Sequence, residues 1–142
     1  MNDKSFLDTN IFIYSFDPSQ PEKQLISKKI INNGLSKSSS VISYQVVQEF
    51  INVATRKFSI PLSMPDCHKY LSVVLEPLCK IFSSMDLYYQ ALEIMERWKY
   101  SYYDSLIISA AIKGDCSILY SEDLQNHQKI YDLTIVNPFI NS

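Results

Sequence analysis

Glycine is nearly absent from this chain. Two occur in 142 residues, which argues against a glycine-rich loop that cradles the phosphates of a nucleotide. Cysteine is sparse as well. Cys67, Cys79 and Cys116 are an odd number without C-x-x-C spacing, so neither a disulfide framework nor a structural zinc site is indicated. Cys67 and His68 are neighbours, but adjacent residues on a helix point in different directions, which sets aside a shared metal or catalytic role. No apolar run reaches the ~20 residues of a membrane span. The start, Met1-Asn2-Asp3-Lys4-Ser5, has neither the basic patch nor the apolar stretch of a signal peptide. The expectation is a cytoplasmic protein that does not engage membranes. A basic excess is missing too, since the net charge is −2. Four acids singled out below account for −4 of it, leaving +2 on the rest of the chain. An RNA substrate is therefore compatible with the charge, although no large basic face is expected.

What remains is a soluble globular composition, 46% hydrophobic and 20% charged, of a length that suits one domain over residues 1–142. Residues 4–7 form a short apolar run that reads as a buried strand, and residues 11–16 as a short apolar helix. Residues 17–21 carry two prolines and read as a turn. Residues 22–33 have Leu25, Ile26, Ile30 and Ile31 at helical spacing, and Gly34 follows where a left-handed cap is common. Residues 39–43 read as a strand and 44–58 as a long helix. A helix over 66–78, opened by Pro65 and kinked or ended by Pro77, leads to a strand at 80–82. Helices over 86–99 and 104–113 follow, the second apolar on nearly all sides and so buried. Strands at 117–120 and 134–136 complete the pattern. Strands alternating with helices predict an α/β fold, a parallel sheet of about five short strands with helices on both faces.

In such sheets ligands bind at the carboxyl ends of the strands. Asp8 and Asp123 fall just after strands, and Glu49 and Asp104 sit near the starts of helices that enter from that side. Each has an ordinary explanation: helix caps for Asp8 and Asp104, a turn for Asp123, a boundary position for Glu49 beside the apolar stripe of Val46, Phe50, Val53 and Ala54. Asn52 and Arg56 continue that same edge. Together the four acids form a carboxylate cluster without matching lysine or arginine, and its usual remedy is a hard divalent cation such as Mg²⁺ or Mn²⁺. Such an ion acidifies water and stabilises charge on a phosphodiester under attack. Thr9, Asn10 and Ser121 carry the hydroxyls and amide that would orient the carboxylates.

The residues that carry this pattern are similar to a known family. Phe6-Leu7-Asp8-Thr9-Asn10-Ile11, Gln48-Glu49-Phe50, Tyr103-Asp104-Ser105-Leu106-Ile107-Ile108-Ser109-Ala110-Ala111, Leu119-Tyr120-Ser121-Glu122-Asp123-Leu124-Gln125 and Val136-Asn137-Pro138-Phe139 appear in that order. Over nearly its whole length the chain resembles a PIN domain of the VapC type, the toxin ribonuclease of a toxin–antitoxin pair. The resemblance implies a three-layer fold and a metal-dependent endoribonuclease. Asp8, Glu49, Asp104 and Asp123 would be its acidic quartet, and Thr9, Asn10 and Ser121 its polar support. Asp8, Asp104 and Asp123 would hold the metal or its water, and Glu49 would act through water or as a proton acceptor. The resemblance also implies an RNA substrate, a small antitoxin partner and a homodimer. Arg56, Lys57 and Lys99 are candidate phosphate contacts. Trp98, Tyr100, Tyr102 and Tyr103 crowd the approach to Asp104, as core or as stacking surfaces for a base.

Two departures stand out. Ser105 replaces a frequent alanine, and His127 occupies a place where the family usually has glycine, so a positive φ there would strain it. Two other readings compete. Phosphoryl transfer to Asp8 fits poorly, because Asn10 stands where a haloacid-dehalogenase-like site wants a second acid and Ser121 stands where a receiver domain wants lysine. A catalytically inactive PIN-like scaffold that binds RNA or protein would be expected to have lost acids from the quartet.

Overall fold

The computed structural model describes residues 2–140; Met1, Asn141 and Ser142 of the expected 1–142 domain lie outside the described residues. The elements run β1 Ser5–Leu7, α1 Thr9–Tyr14, α2 Pro21–Ser36, β2 Ser40–Ser43, α3 Tyr44–Arg56, α4 Met64–Tyr70, α5 Glu76–Leu78, β3 Cys79–Ile81, α6 Met85–Trp98, α7 Tyr102–Lys113, β4 Ile118–Tyr120, β5 Lys129–Ile130 and β6 Leu133–Val136. The sheet has six strands in the order β3-β2-β1-β4-β6-β5. All pairs are parallel except β5 with β6.

Chain direction across the sheet decides the layers. From β1 the chain steps to β2 and then β3 on one side, then returns past β1 to β4 and β6. Parallel crossovers are right-handed, so a reversal of direction moves the connecting helices to the opposite face. Side-chain contacts agree. Ser40 of β2 meets Gly34 of α2, while the next residue, Val41, meets Gly114 at the end of α7, and successive strand residues point to opposite faces. The core between the layers gathers Phe6, Leu7, Phe12, Phe50, Ile94, Ile108 and Leu119, all fully buried. α7 is buried along Ser105–Ala111, as its uniform apolarity predicts.

Several local details differ from the sequence reading. Gly34 is not a left-handed cap. It lies inside α2, and no glycine has positive φ. Its role is close approach: an added Cβ would stand 2.4 Å from Ser40 Oγ and 2.6 Å from Ser40 Cβ. Ser40 Oγ is in turn 2.8 Å from Ser5 Oγ on the neighbouring strand. Gly34→Ala gains helix propensity of up to about 1 kcal/mol. It also overpacks a rigid strand, at a cost of about 1–3 kcal/mol. The expected outcome is net destabilisation by about 1 kcal/mol, read from a urea melt.

The expected helix at 66–78 starts earlier, capped by Ser63 Oγ on the Asp66 N–H. It passes through a π-helical stretch, Leu71–Leu75, where the Glu76 N–H reaches Leu71 O. Pro77 accounts for this: it has no N–H for the α-helical bond to Val73 O, and its ring clashes with that carbonyl. β5 was missed because it is two residues long. Its turn, Tyr131-Asp132, has no glycine or asparagine to announce it, although Tyr131 takes φ 54°. No helix among the described residues is long and apolar enough to cross a membrane.

Candidate active site

β1 and β4 are neighbours whose onward connections leave in opposite directions. This is the switch point of the sheet, where a crevice opens beyond the carboxyl ends of the strands. Asp8 follows β1 and Ser121 follows β4. Their backbones are stitched by Asp8 N–H donating to Tyr120 O at 3.0 Å.

Asp8 caps α1: its Oδ1 accepts the Thr9 N–H at 2.7 Å. Its Oδ2 accepts the Ser121 hydroxyl at 2.7 Å. The residue is 8% exposed. Burial pushes its carboxyl up to about 6, against the two hydrogen bonds, and Glu49 and Asp123 add repulsion in the same direction. Ser121 is fully buried and also accepts the Asp123 N–H at 3.3 Å, so one hydroxyl sets both the carboxylate after β1 and the turn after β4.

Glu49 is half-buried on α3, as its place beside the apolar stripe predicts. Its Oε2 accepts the Thr9 hydroxyl at 2.9 Å and its Oε1 accepts Gln45 Nε2 at 2.8 Å. Asn10 Nδ2 donates to Asp123 Oδ2 at 3.2 Å, while Asn10 Oδ1 is buried without a hydrogen-bond partner. The ordinary explanation for Asp104, a helix cap, does not hold for its side chain. Ser101 caps α7 through its own Oγ, which accepts the Asp104 N–H at 3.2 Å. The Asp104 carboxylate is thus not used by the helix, and it has no hydrogen-bond or ion-pair partner among the described residues.

All four acids line one cleft of about 340 Å³, together with Thr9, Asn10, Gln45, Asn52, Lys57 and Tyr103. Lys57 is the one basic residue that reaches the lining. Arg56 is exposed near the end of α3 and does not line the cleft, nor does Lys99. Lys99 instead ends α6 in a left-handed conformation, φ 65°, with its N–H on Met95 O. Of the aromatic group, Tyr103 lines the cleft and is 67% exposed, its ring against that of Tyr102 at 5.4 Å. Trp98 packs on Tyr131 instead. His127 does adopt positive φ, 70°, and its N–H donates to Ile135 O at 2.7 Å. The loop geometry survives the replacement, and the imidazole is exposed outside the cleft lining.

Sequence reasoning missed Gln45, although its signal was present: it stands four residues before Glu49 on one helix face. It also missed the cluster behind Asp123. Glu122 accepts Tyr14 Oη at 2.5 Å and pairs with Lys23 Nζ at 2.6 Å. Nothing in the spacing of those three residues announces it.

The donor set fits a hard cation. Four carboxylates face one cleft without an ion-pair partner, since the one salt bridge among the described residues is Lys23–Glu122. Asn10 Oδ1 is an orphaned oxygen beside them. No three Asp, Glu, His or Cys side chains among the described residues are gathered as a ready-made ligand set. An oxygen site of this openness suits an ion that keeps several waters and takes one or two carboxylates directly, as Mg²⁺ does.

No curated protein matches the chain significantly. Solved structures do. A chain of a toxin–antitoxin complex from Klebsiella pneumoniae superposes with a TM-score of 0.68 at 17% identity, covering 95% of this chain and 98% of that one. VapC20 of Mycobacterium tuberculosis, a sarcin–ricin-loop-cleaving toxin, gives 0.57 at 17% identity over 84% and 90%. A chain of FitAB bound to a DNA fragment gives 0.69 at 15% identity over 97% of both. At these identities the likeness is one of fold. The PIN domain profile matches residues 5–133. With sheet order, crevice and profile in agreement, the chain belongs to the PIN domain family.

Proposed function

We propose that this protein is a divalent-metal-dependent endoribonuclease, the toxin of a toxin–antitoxin pair. The observation that carries the reading is the convergence of Asp8, Glu49, Asp104 and Asp123 on one cleft with no cation of the protein paired to them. PIN domains are typically nucleases and generally depend on metal. Asp8, Asp104 and Asp123 would hold Mg²⁺ or Mn²⁺, one or two of them directly and the rest through its waters; the ion when bound supplies Lewis-acid stabilisation of the phosphodiester and acidifies water. Ser121 fixes Asp8 from behind, and Asn10 orients Asp123. Glu49, held by Thr9 and Gln45, takes the proton of the attacking water. The new P–O bond forms as the bond to the leaving ribose oxygen breaks; solvent water protonates that oxygen, and Glu49 returns its proton to solvent. Lys57 and the exposed ring of Tyr103 both line the cleft and would meet a flanking phosphate and a base. Incubating the purified protein with single-stranded RNA, with Mn²⁺ or with chelator, tests this. Cleavage that needs the ion is expected, and RNA bound but left intact in Mn²⁺ would favour a binding scaffold.

Stacking on an aromatic ring is worth about 1–3 kcal/mol per base. Tyr103→Ala is therefore expected to raise KM roughly tenfold with kcat nearly unchanged, and Tyr103→Phe to restore it. Steady-state kinetics on a short oligonucleotide checks both.

The solved neighbours FitAB and the Klebsiella complex support an antitoxin partner, and the family resemblance a homodimer. Growth arrest on expression, relieved by co-expression of a short neighbouring reading frame, is the expected sign of the first. Light scattering reports the second.

A further inference from the structure

Gln45 is 6% exposed, and a buried carboxamide must find partners for its N–H groups. It finds two on different elements. Nε2 donates to Glu49 Oε1 at 2.8 Å, one turn along the same helix, and to the backbone carbonyl of Tyr103 at 3.2 Å, in the first turn of α7. The second is the one side-chain hydrogen bond between α3 and α7 among the described residues. The residue after Tyr103 is Asp104, whose own carboxylate has no partner to hold it. Glu49, by contrast, has both oxygens engaged, by Thr9 and Gln45.

We propose that Gln45 is a positioning residue that ties the Glu49 carboxylate to the start of α7 and so sets the distance between Glu49 and Asp104 across the cleft. The inference rests on the metal-dependent nuclease reading above. Asp8 and Asp123 are set by the contacts around β1 and β4. Asp104 enters from a separate helix, and Gln45 is the side chain that hydrogen-bonds α3 to the first turn of that helix. A glutamine does this without adding charge to a crowded acidic cleft. Isosteric Glu cannot donate when ionised and would face Glu49 as a like charge. Asn, one methylene shorter, cannot reach both partners.

Gln45→Leu and Gln45→Met keep the volume and remove the link; Met is the unbranched form that fills the site if Leu does not fold. Groups that fix metal ligands in place typically govern affinity by 10–100-fold, and Gln45 would act on Asp104 through the neighbouring Tyr103 carbonyl. Calorimetric titration with Mn²⁺ alone is expected to show at least tenfold weaker binding for the folded variant, with metal-free melting within a few degrees of wild type. Gln45→Glu is expected to weaken Mn²⁺ binding or bind it with proton release, seen as a dependence of the heat on buffer. Cleavage kinetics should show a kcat reduced by roughly tenfold or more with KM little changed, which a purely structural role would not produce. Wild-type Mn²⁺ affinity and kcat in Gln45→Met would overturn the proposal. Because metal affinity is measured without RNA, a wild-type protein that binds Mn²⁺ but cuts nothing overturns the nuclease reading and leaves the link separately decided.

Discussion

Asp104→Asn is expected to slow RNA cleavage by ~10³-fold, in the range seen when a group acting in the transition state is lost. Folding free energy should stay within about 0.5 kcal/mol of wild type, as for a surface substitution that breaks nothing. The separation of the two effects follows from the structure. Ser101 caps α7, and the Asp104 carboxylate accepts no hydrogen bond and pairs with no cation among the described residues. Its neutralisation removes only a first-turn charge on the helix dipole, about 0.3–1 kcal/mol, offset by relief of repulsion from the other three acids. It stands half-exposed at the rim of the cleft. The amide at Asp123 would keep an oxygen for Asn10 but lose its charge, and the amide at Glu49 could accept from only one of Thr9 and Gln45, so neither isolates function from stability as cleanly. Single-turnover kinetics beside a urea melt gives both quantities.

Asp8→Asn should do the reverse of the usual active-site lesion and stabilise the metal-free protein at high pH. In the folded state burial, with repulsion from Glu49 and Asp123, lifts the Asp8 carboxyl to about 6, from 3.8. Below about pH 4 the group is protonated in both folded and unfolded chains and contributes nothing. Between these values the unfolded chain releases the proton while the folded chain keeps it, so stability falls as pH rises. Above pH 6 the penalty is complete, at most about 3 kcal/mol. Asparagine carries no such penalty: its oxygen can keep the Thr9 N–H, and its amide N–H can donate to Ser121 Oγ once that hydroxyl rotates. At pH 8 in chelator the variant should melt about 5–10 °C above wild type, and at pH 4 the two should coincide. Adding Mn²⁺ at pH 8 should raise the wild-type midpoint and leave Asp8→Asn nearly unmoved, since a ligand that binds only the native state stabilises it by mass action. A wild-type protein more stable than Asp8→Asn at pH 8 in chelator would contradict the reading of Asp8 as a carboxylate held at a cost for a cation.

Much of this was legible in the sequence because it follows from short-range rules. Strand–helix alternation predicted the parallel sheet. The position of Asp8 just past a strand predicted the rim, and the 100° periodicity of α3 predicted Glu49 at the edge of the core. What was not legible depended on contacts between distant segments. Gly34 looked like a helix end because a glycine after an apolar helix usually is one. Its actual constraint, the side chain of Ser40 at 2.4 Å from its missing Cβ, comes from a strand packed on it. Asp104 looked like its own helix cap, yet Ser101, three residues earlier, carries that role. Gln45 was passed over because half of what it does is aimed at a backbone carbonyl 58 residues away, which no side-chain pattern encodes. Of the three basic candidates, Lys57 faces the cleft while Arg56 and Lys99 do not line it, a matter of helix phase and a left-handed cap.

Mapping of newly formed RNA ends tests the central claim most directly. Total RNA is incubated with purified wild-type protein in Mn²⁺, with the same protein in chelator, and with Asp104→Asn in Mn²⁺, and the ends are then sequenced. The account predicts discrete internal breaks in the first sample alone. Breaks that persist in chelator or in Asp104→Asn, or no breaks in any sample, would contradict it.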